Sequence, residues 1–93
     1  MDTQNNENTT PSVDSPFKKR VYTERFLVDV FMRLDDRQRN VGVKVSASQL
    51  IEISYHLPRE ESDRLANGWL RTLAQDKPVE DRVREFMSQE GMI

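Results

Sequence analysis

The sequence predicts an all-α fold: a compact bundle of about four short helices, with two tightly joined helices at its centre and a disordered N-terminal tail. Two observations predict this fold. Apolar residues recur at helical spacing in four successive segments, which are separated by polar or proline-containing stretches. The first sixteen residues, by contrast, hold almost no large apolar side chain. A chain of 93 residues allows one domain, which we place at residues 17–93.

The tail, residues 1–16, consists mainly of Asn, Thr, Ser and acidic residues. Such a segment cannot bury enough apolar surface to offset the entropy lost on ordering, so disorder is expected. The segment from residue 17 to residue 22 is basic and partly apolar, and leads into the first helix.

Helix 1 is expected to begin at Thr23, a good N-cap, with Glu24 favourably placed in the first turn. Its inward stripe consists of Phe26, Leu27, Val30, Phe31 and Leu34. Val28 and Met32 lie four residues apart on a different side. That side either joins the core or contacts a partner protein or a second copy of the chain.

Residues 41–45 alternate Val and small or basic residues, and are expected to form a loop whose valines reach the core. Ser46 and Gln49 form the capping-box pattern that starts helix 2. The helix should end before Pro58, because a residue preceding proline disfavours the helical conformation. Its expected apolar face consists of Leu50, Ile51, Ile53, Ser54 and Leu57, with Tyr55 at the flank.

Helix 3 is expected over residues 62–74, and helix 4 from Pro78 to a stop at Gly91. Helix 3 should face inward through Leu65, Ala66, Trp69, Leu70, Leu73 and Ala74, and outward through Arg64, Asn67, Gly68 and Arg71. Helix 4 should face inward through Val79, Val83, Phe86 and Met87. We interpret Trp69 as a core residue because it lies in the middle of its stripe.

The amino-acid composition of the chain excludes several kinds of site and indicates where the protein acts. The chain has no cysteine, so disulfides and thiolate metal sites are excluded. No apolar run approaches the length of a membrane span, and the N-terminus lacks signal-peptide character, so a cytoplasmic location is expected. Within the net charge of −2, residues 17–45 are basic and residues 46–93 acidic. This segregation could steer an anionic partner, or it could reflect ordinary solvated surfaces.

Catalytic and metal-binding patterns are weak. His56 is the only histidine, and it cannot face Ser54 on a helix because side chains two residues apart point in different directions. We therefore expect His56 to be solvated or to cap helix 2. Glu60, Glu61 and Asp63 are adequately explained as acids that stabilise the start of helix 3. No enzyme activity, cofactor, metal ion or small-molecule substrate is expected.

The stretch from Ser46 to Ala74 resembles, in general outline, a helix-turn-helix DNA-binding unit. The resemblance implies a DNA-binding regulator with helix 62–74 as the reading helix. Its contacts would come from a basic arm and from the outward face of that helix: Lys18, Lys19, Arg20, Arg64, Asn67 and Arg71. The acids in the first turn of helix 3 argue against this reading, since they would repel phosphate.

Our preferred expectation is a non-catalytic regulatory module that binds a protein, as an adaptor or inhibitor, or that forms a homodimer. Large aromatic and Met side chains are typical of interfaces. Three residues are the candidates for such a surface: Val28, Met32 and Tyr55. DNA binding is the alternative.

Overall fold

The computed structural model describes residues 19–40 and 45–93, which form four helices and no strand. The helices are α1 (Glu24–Arg39), α2 (Ala47–Tyr55), α3 (Arg59–Leu73) and α4 (Val79–Gln89). The prediction of an all-α bundle is confirmed. The expected disorder of residues 1–16 and the expected burial of Val41 and Val43 concern residues outside the described part of the chain.

The first two helices begin where their capping residues predict. The hydroxyl of Thr23 accepts a hydrogen bond of 3.1 Å from the backbone N–H of Phe26 at the start of α1. At α2, the Ser46 hydroxyl accepts from the backbone N–H of Gln49, and the Gln49 side chain accepts from the backbone N–H of Ser46. These three bonds satisfy N–H groups that have no partner within the helix.

The connection between α2 and α3 is only three residues long, residues 56–58. His56 ends α2 with φ 57°, a left-handed conformation that turns the chain sharply. Pro58 then serves as the N-cap of α3, and its carbonyl accepts from the N–H of Ser62 at 2.9 Å. The helix therefore begins at Arg59 and not at residue 62 as predicted, because the residues that follow proline wind directly into the first turn.

The C-terminal helix also ends at a residue that the sequence indicates. Gly91 has φ 75°, a conformation that glycine adopts without strain. The N–H of Met92 donates to the carbonyl of Met87 at 2.8 Å, and the N–H of Gly91 donates to that of Ser88 at 3.2 Å. These two bonds form the Schellman arrangement at the end of α4.

The core lies between all four helices. Helix α1 packs on α4 and α2, while α3 packs on α2 and α4. The Phe31 and Phe86 rings meet at the centre with centroids 5.7 Å apart. Gly68 of α3 lies directly against the Phe86 ring, which leaves no room for a Cβ atom there. The buried apolar side chains are Leu27, Val30, Phe31, Leu34, Ile51, Leu57, Leu65, Ala66, Trp69, Val83, Phe86 and Met87.

The prediction that a residue faces the core is wrong at three positions. Ile53, Leu70 and Ala74 are exposed, because each lies on the side of its helix away from the neighbouring helices. Gly68 was expected to face outward and is instead buried against α4. Four polar side chains occupy buried positions on α3 and α4: Glu61, Ser62, Thr72 and Arg82.

No helix in the described part of the chain combines the length and the apolar character needed to cross a membrane.

Candidate interaction surfaces

Arg64 connects three parts of the fold. Its guanidinium donates to the carboxylates of Glu61 at 2.8 Å and Glu90 at 2.7 Å, and to the backbone carbonyl of Arg20 at 2.9 Å. The side chain of Arg64 is only 12% exposed. The contact lowers the pKa of Glu90 because the guanidinium stabilises its ionised form, an effect larger than the opposing one of burial.

The prediction that Arg64 faces outward is therefore wrong. From the sequence alone, a charged residue next to an apolar stripe cannot be assigned as buried and paired or as exposed to solvent. Arg64 lies on the flank of α3 that meets the end of α4, where Glu90, 26 residues away, provides its partner. The Nε and Nη1 groups of Arg64 are therefore engaged within the domain.

The exposed stripe of α3 has a mixed character. It consists of Arg59, Glu60, Asp63, Asn67, Leu70, Arg71 and Ala74. Each of its two cations lies near a carboxylate outside the stripe: Arg59 lies 3.2 Å from Glu52, and Arg71 lies 3.5 Å from Glu90. Asn67 is exposed as predicted, but it is flanked by an acidic residue and an apolar one along the stripe. The carboxylates of Glu60 and Asp63 would repel a phosphate backbone in the first turns of this surface.

The predicted basic arm is described only in part. Lys18 lies outside the described residues. Lys19 is exposed and its ammonium group lies 3.7 Å from Glu90, while the side chain of Arg20 is exposed. Tyr22 anchors this segment by donating a hydrogen bond of 2.7 Å to Glu61. Burial, together with that hydrogen bond, raises the pKa of Tyr22 well above its ordinary value.

A second buried ion pair lies on the other side of the core. Arg82 of α4 is 7% exposed and donates to both carboxylate oxygens of Asp35, at 3.4 and 2.5 Å. The indole N–H of Trp69 donates to the same carboxylate at 2.8 Å. The interpretation of Trp69 as a core residue is confirmed, since the side chain is buried and its one polar group is bonded.

Tyr55 closes a series of three rings. Tyr22 stacks on Phe26, and Phe26 meets Tyr55 edge to face, each pair with centroids 5.2 Å apart. The Tyr55 hydroxyl donates to Asp29 at 2.6 Å and accepts from Arg33 at 3.0 Å. Burial, with the hydrogen bond to Asp29 as the next cause, raises the pKa of Tyr55. Only part of the ring remains available to a partner.

Val28 and Met32 lie four residues apart on one side of α1 but differ in exposure. Val28 lies on the same stripe of α1 as Glu24 and Asp35, which pair with arginines of α4, and it packs partly against the core. Met32 is 52% exposed in a shallow groove of about 230 Å³ with Asp29 and Arg33 among its walls. Val28 therefore lies at the edge of this side next to α4, and Met32 lies in its exposed part.

Two apolar residues on α2 and α3 are exposed although the sequence predicted them to be buried. Ile53 of α2 is 65% exposed and Leu70 of α3 is 59% exposed, although both were expected in the core. A signal was present for Ile53: α2 contains a single charged residue, Glu52, and its other side chains are apolar or neutral. With so little charge on the helix, the sequence alone does not indicate which side of α2 faces solvent.

In residues 19–40 and 45–93, no three acidic or histidine side chains lie together as a metal site requires. His56 is exposed at the end of α2, so its expected role as a solvated or capping residue is confirmed.

Comparison of the chain with protein-family models, with curated proteins and with solved structures gives no match.

Proposed function

We propose that this protein is a small non-catalytic regulatory module that acts in the cytoplasm by binding another protein, as an adaptor or inhibitor. One observation carries the proposal. Three large apolar side chains, Met32, Ile53 and Leu70, are each more than half exposed, and they lie on three different helices. Scattered apolar residues are common on surfaces. Here, however, they are exposed to solvent on a small domain that buries its other large apolar helix residues wholly or in part.

The packing of the domain supports this proposal. The buried charged groups of α3 and α4 are paired within the chain, as in Arg64 with Glu90 and Arg82 with Asp35. The described helices thus form a finished unit that needs no partner to satisfy its buried charges. A domain of this kind presents its outer side chains on a fixed scaffold, which reduces the entropy lost on binding.

DNA binding is the second candidate. The three-residue connection between α2 and α3 is the feature that favours it, since helix-turn-helix units use turns of this length. The charge of the exposed α3 stripe opposes it, with Glu60 and Asp63 in the first turns and Arg64 engaged by Glu61 and Glu90. Any DNA complex made by this surface should be weak and strongly weakened by salt.

Affinity capture with the full chain as bait tests the proposal. The wild type is compared with Met32→Lys, Ile53→Lys and Leu70→Lys, each checked for an unchanged melting temperature. Arg84→Ala, a change at an exposed charged residue of α4, is the control. We expect a partner that the wild type and the control retain and that at least one lysine variant loses.

Fluorescence anisotropy with random-sequence duplex DNA completes the test. Binding is measured at about 50 mM and about 200 mM salt, a range over which phosphate contacts lose much of their affinity. Equal capture by all variants, combined with salt-sensitive DNA binding, would overturn the proposal in favour of the DNA-binding alternative.

A further inference from the structure

The pair Asn67–Gly68 lies well inside α3, and it is the only place in the chain where glycine directly follows asparagine. Glycine has no side chain to hinder its own backbone nitrogen. That nitrogen therefore reaches the side-chain carbonyl carbon, Cγ, of a preceding asparagine more readily than the nitrogen of any other residue does. The side chain of Asn67 is also exposed to water. The pair thus has the sequence and the solvent access that favour loss of the asparagine amide.

The packing of the domain requires the glycine of this pair. Gly68 is buried directly against the Phe86 ring, and a Cβ atom at this position would overlap the ring carbons. A larger residue would force α3 and α4 apart or displace the ring, at a cost in stability. The reactive neighbour of Asn67 is therefore a consequence of how α3 packs on α4.

We propose that Asn67 is a deamidation site that is unreactive in the folded domain, reacts when the domain unfolds, and then prevents α3 from forming again. In this reaction the backbone nitrogen of Gly68 forms a bond to Cγ of Asn67, and the bond from Cγ to the side-chain nitrogen breaks. The side-chain nitrogen leaves as ammonia, with the proton that the Gly68 N–H loses. Water then opens the cyclic imide at either of its two carbonyls, which gives aspartate or isoaspartate at residue 67.

The conformation of α3 prevents this attack in the folded state. In an α-helix the N–H of Gly68 donates to the carbonyl of Arg64, so the Gly68 nitrogen is directed along the helix axis and away from the Asn67 side chain. Ring closure therefore requires Asn67 to leave the helical conformation. The residues on both sides of the pair, Ala66 and Trp69, are buried in the core, so this opening needs the core to open as well.

The dependence on opening sets the rate of the reaction. When the domain refolds faster than the imide forms, the rate equals that of an open chain multiplied by the fraction of molecules that are open. Deamidation of Asn67 should therefore follow the stability of the whole domain, and any change that favours unfolding should accelerate it.

The two products have different effects on α3. Aspartate at residue 67 leaves the main chain unchanged and places a carboxylate four residues before Arg71, which is a favourable spacing on a helix. Isoaspartate routes the main chain through the former side chain, which inserts one methylene group before Gly68. The insertion interrupts the regular helical hydrogen bonds and shifts Gly68 away from its position against Phe86. A chain that carries isoaspartate at residue 67 should therefore fail to refold.

Peptide mapping by mass spectrometry tests the proposal. The full chain is incubated in mildly alkaline buffer, both without urea and in urea above its unfolding midpoint. Trypsin then releases residues 65–71, a segment bounded by Arg64 and Arg71. A synthetic peptide of residues 65–71 in the same two buffers gives the open-chain rate. We expect Asn67 to react at the rate of the peptide in urea and at least about 100-fold more slowly in the folded chain, because few molecules of a stable domain are open.

Two variants show whether the rate follows stability. Arg64→Ala leaves the Asn67–Gly68 pair in place but removes a buried ion pair. It should accelerate the reaction without urea by about 100-fold or more, up to the rate of the peptide if the variant unfolds. Arg84→Ala is the control, because it removes an exposed ion pair, and it should change the rate less than about fivefold.

Size-exclusion chromatography after removal of the urea tests the effect on refolding. We expect isoaspartate at residue 67 only in the material that elutes as unfolded or aggregated chain, and aspartate at residue 67 in the folded material. The variant Asn67→Asp is the matched control, since it has the charge of the product without the extra methylene group. We expect it to fold with a urea midpoint close to that of the wild type.

A folded chain that loses the Asn67 amide as fast as the peptide does would overturn the proposal, because the helix would then give no protection. The same conclusion would follow from an unfolded chain that reacts no faster than the folded one. Isoaspartate at residue 67 in the folded material would overturn the proposed block to refolding. None of these measurements involves a binding partner, so their outcome is independent of the proposed function.

Discussion

Replacing Arg64 by alanine should sharply destabilise the domain. The substitution leaves the carboxylates of Glu61 and Glu90, whose side chains are only 9% and 13% exposed, without their closest cation. Removing one partner of a buried ion pair costs about 3–5 kcal/mol, since the remaining charge stays desolvated. The carbonyl of Arg20 also loses its donor. We expect the loss of free energy of unfolding to lie within that range when measured by urea denaturation at pH 7.

Arg71→Ala is the matched control for this prediction. Arg71 reaches the same Glu90 at 3.5 Å, but its side chain is 51% exposed, so solvent screens the pair. We expect this variant to lose less than about 1 kcal/mol. If Arg64→Ala itself unfolds fully, Arg64→Lys keeps one charge and should give an intermediate, measurable loss.

The pH dependence of the same pair gives a second measurement. The pKa of Glu90 is lowered in the folded state, so its contribution to stability is present above the pH at which glutamates of the unfolded chain titrate, about 4.3. It is lost as the pH falls through the lowered value. The difference between wild type and Arg64→Ala should therefore shrink in acid. A loss below about 1 kcal/mol at pH 7, equal to that of Arg71→Ala, would refute the buried ion pair.

Four further predictions concern single positions. Trp69→Ala should cost about 3–5 kcal/mol, because it removes a buried ring, and a variant with unchanged urea midpoint would contradict this. Gly68→Ala should lower the free energy of unfolding by about 1–3 kcal/mol, and with it the melting temperature, because the added methyl group overlaps the Phe86 ring. A raised melting temperature would show that the higher helix propensity of alanine outweighs the overlap. His56→Gly should gain about 0.5–1 kcal/mol in urea denaturation, since glycine adopts a φ of 57° without strain, and a loss would point to an unseen contact of the imidazole. The pKa of Tyr22 is raised in the folded state, so its contribution to stability is full below about pH 10, where tyrosines of the unfolded chain titrate, and is lost as the pH rises from there through the raised folded value. Tyr22→Phe should reduce the alkaline decline in the urea midpoint, leaving the part due to Tyr55, whose pKa is also raised; an unchanged decline would contradict this.

The elements of the fold were predictable because their signals are local. Thr23, Ser46 with Gln49, and Gly91 each lie within a few residues of the helix end that they define. The assignment of Trp69, in the middle of the α3 stripe, to the core was also correct. Local chemistry therefore gives the number, order and approximate limits of the helices.

The burial of residues at the sides of the apolar stripes could not be predicted from local signals. Whether Ile53 or Leu70 is covered depends on where the neighbouring helices lie, and periodicity carries no information on that. The assignment of Arg64 failed for a related reason: its partner Glu90 is distant in sequence. The candidate surfaces consist largely of such flank positions, so the exposure of their residues was less predictable from the sequence than the helices were.

The contacts of Arg64 also join the beginning and the end of the described helical part. One guanidinium bonds both the backbone of Arg20 and the side chain of Glu90, only a few residues from the last residue of the chain. A domain that the chain enters and leaves at the same edge can be carried within a loop of a larger protein without forcing that loop apart. The same geometry suits circular permutation of residues 19–93, with a short peptide joining residue 93 to residue 19 and new ends opened in the turn after α3.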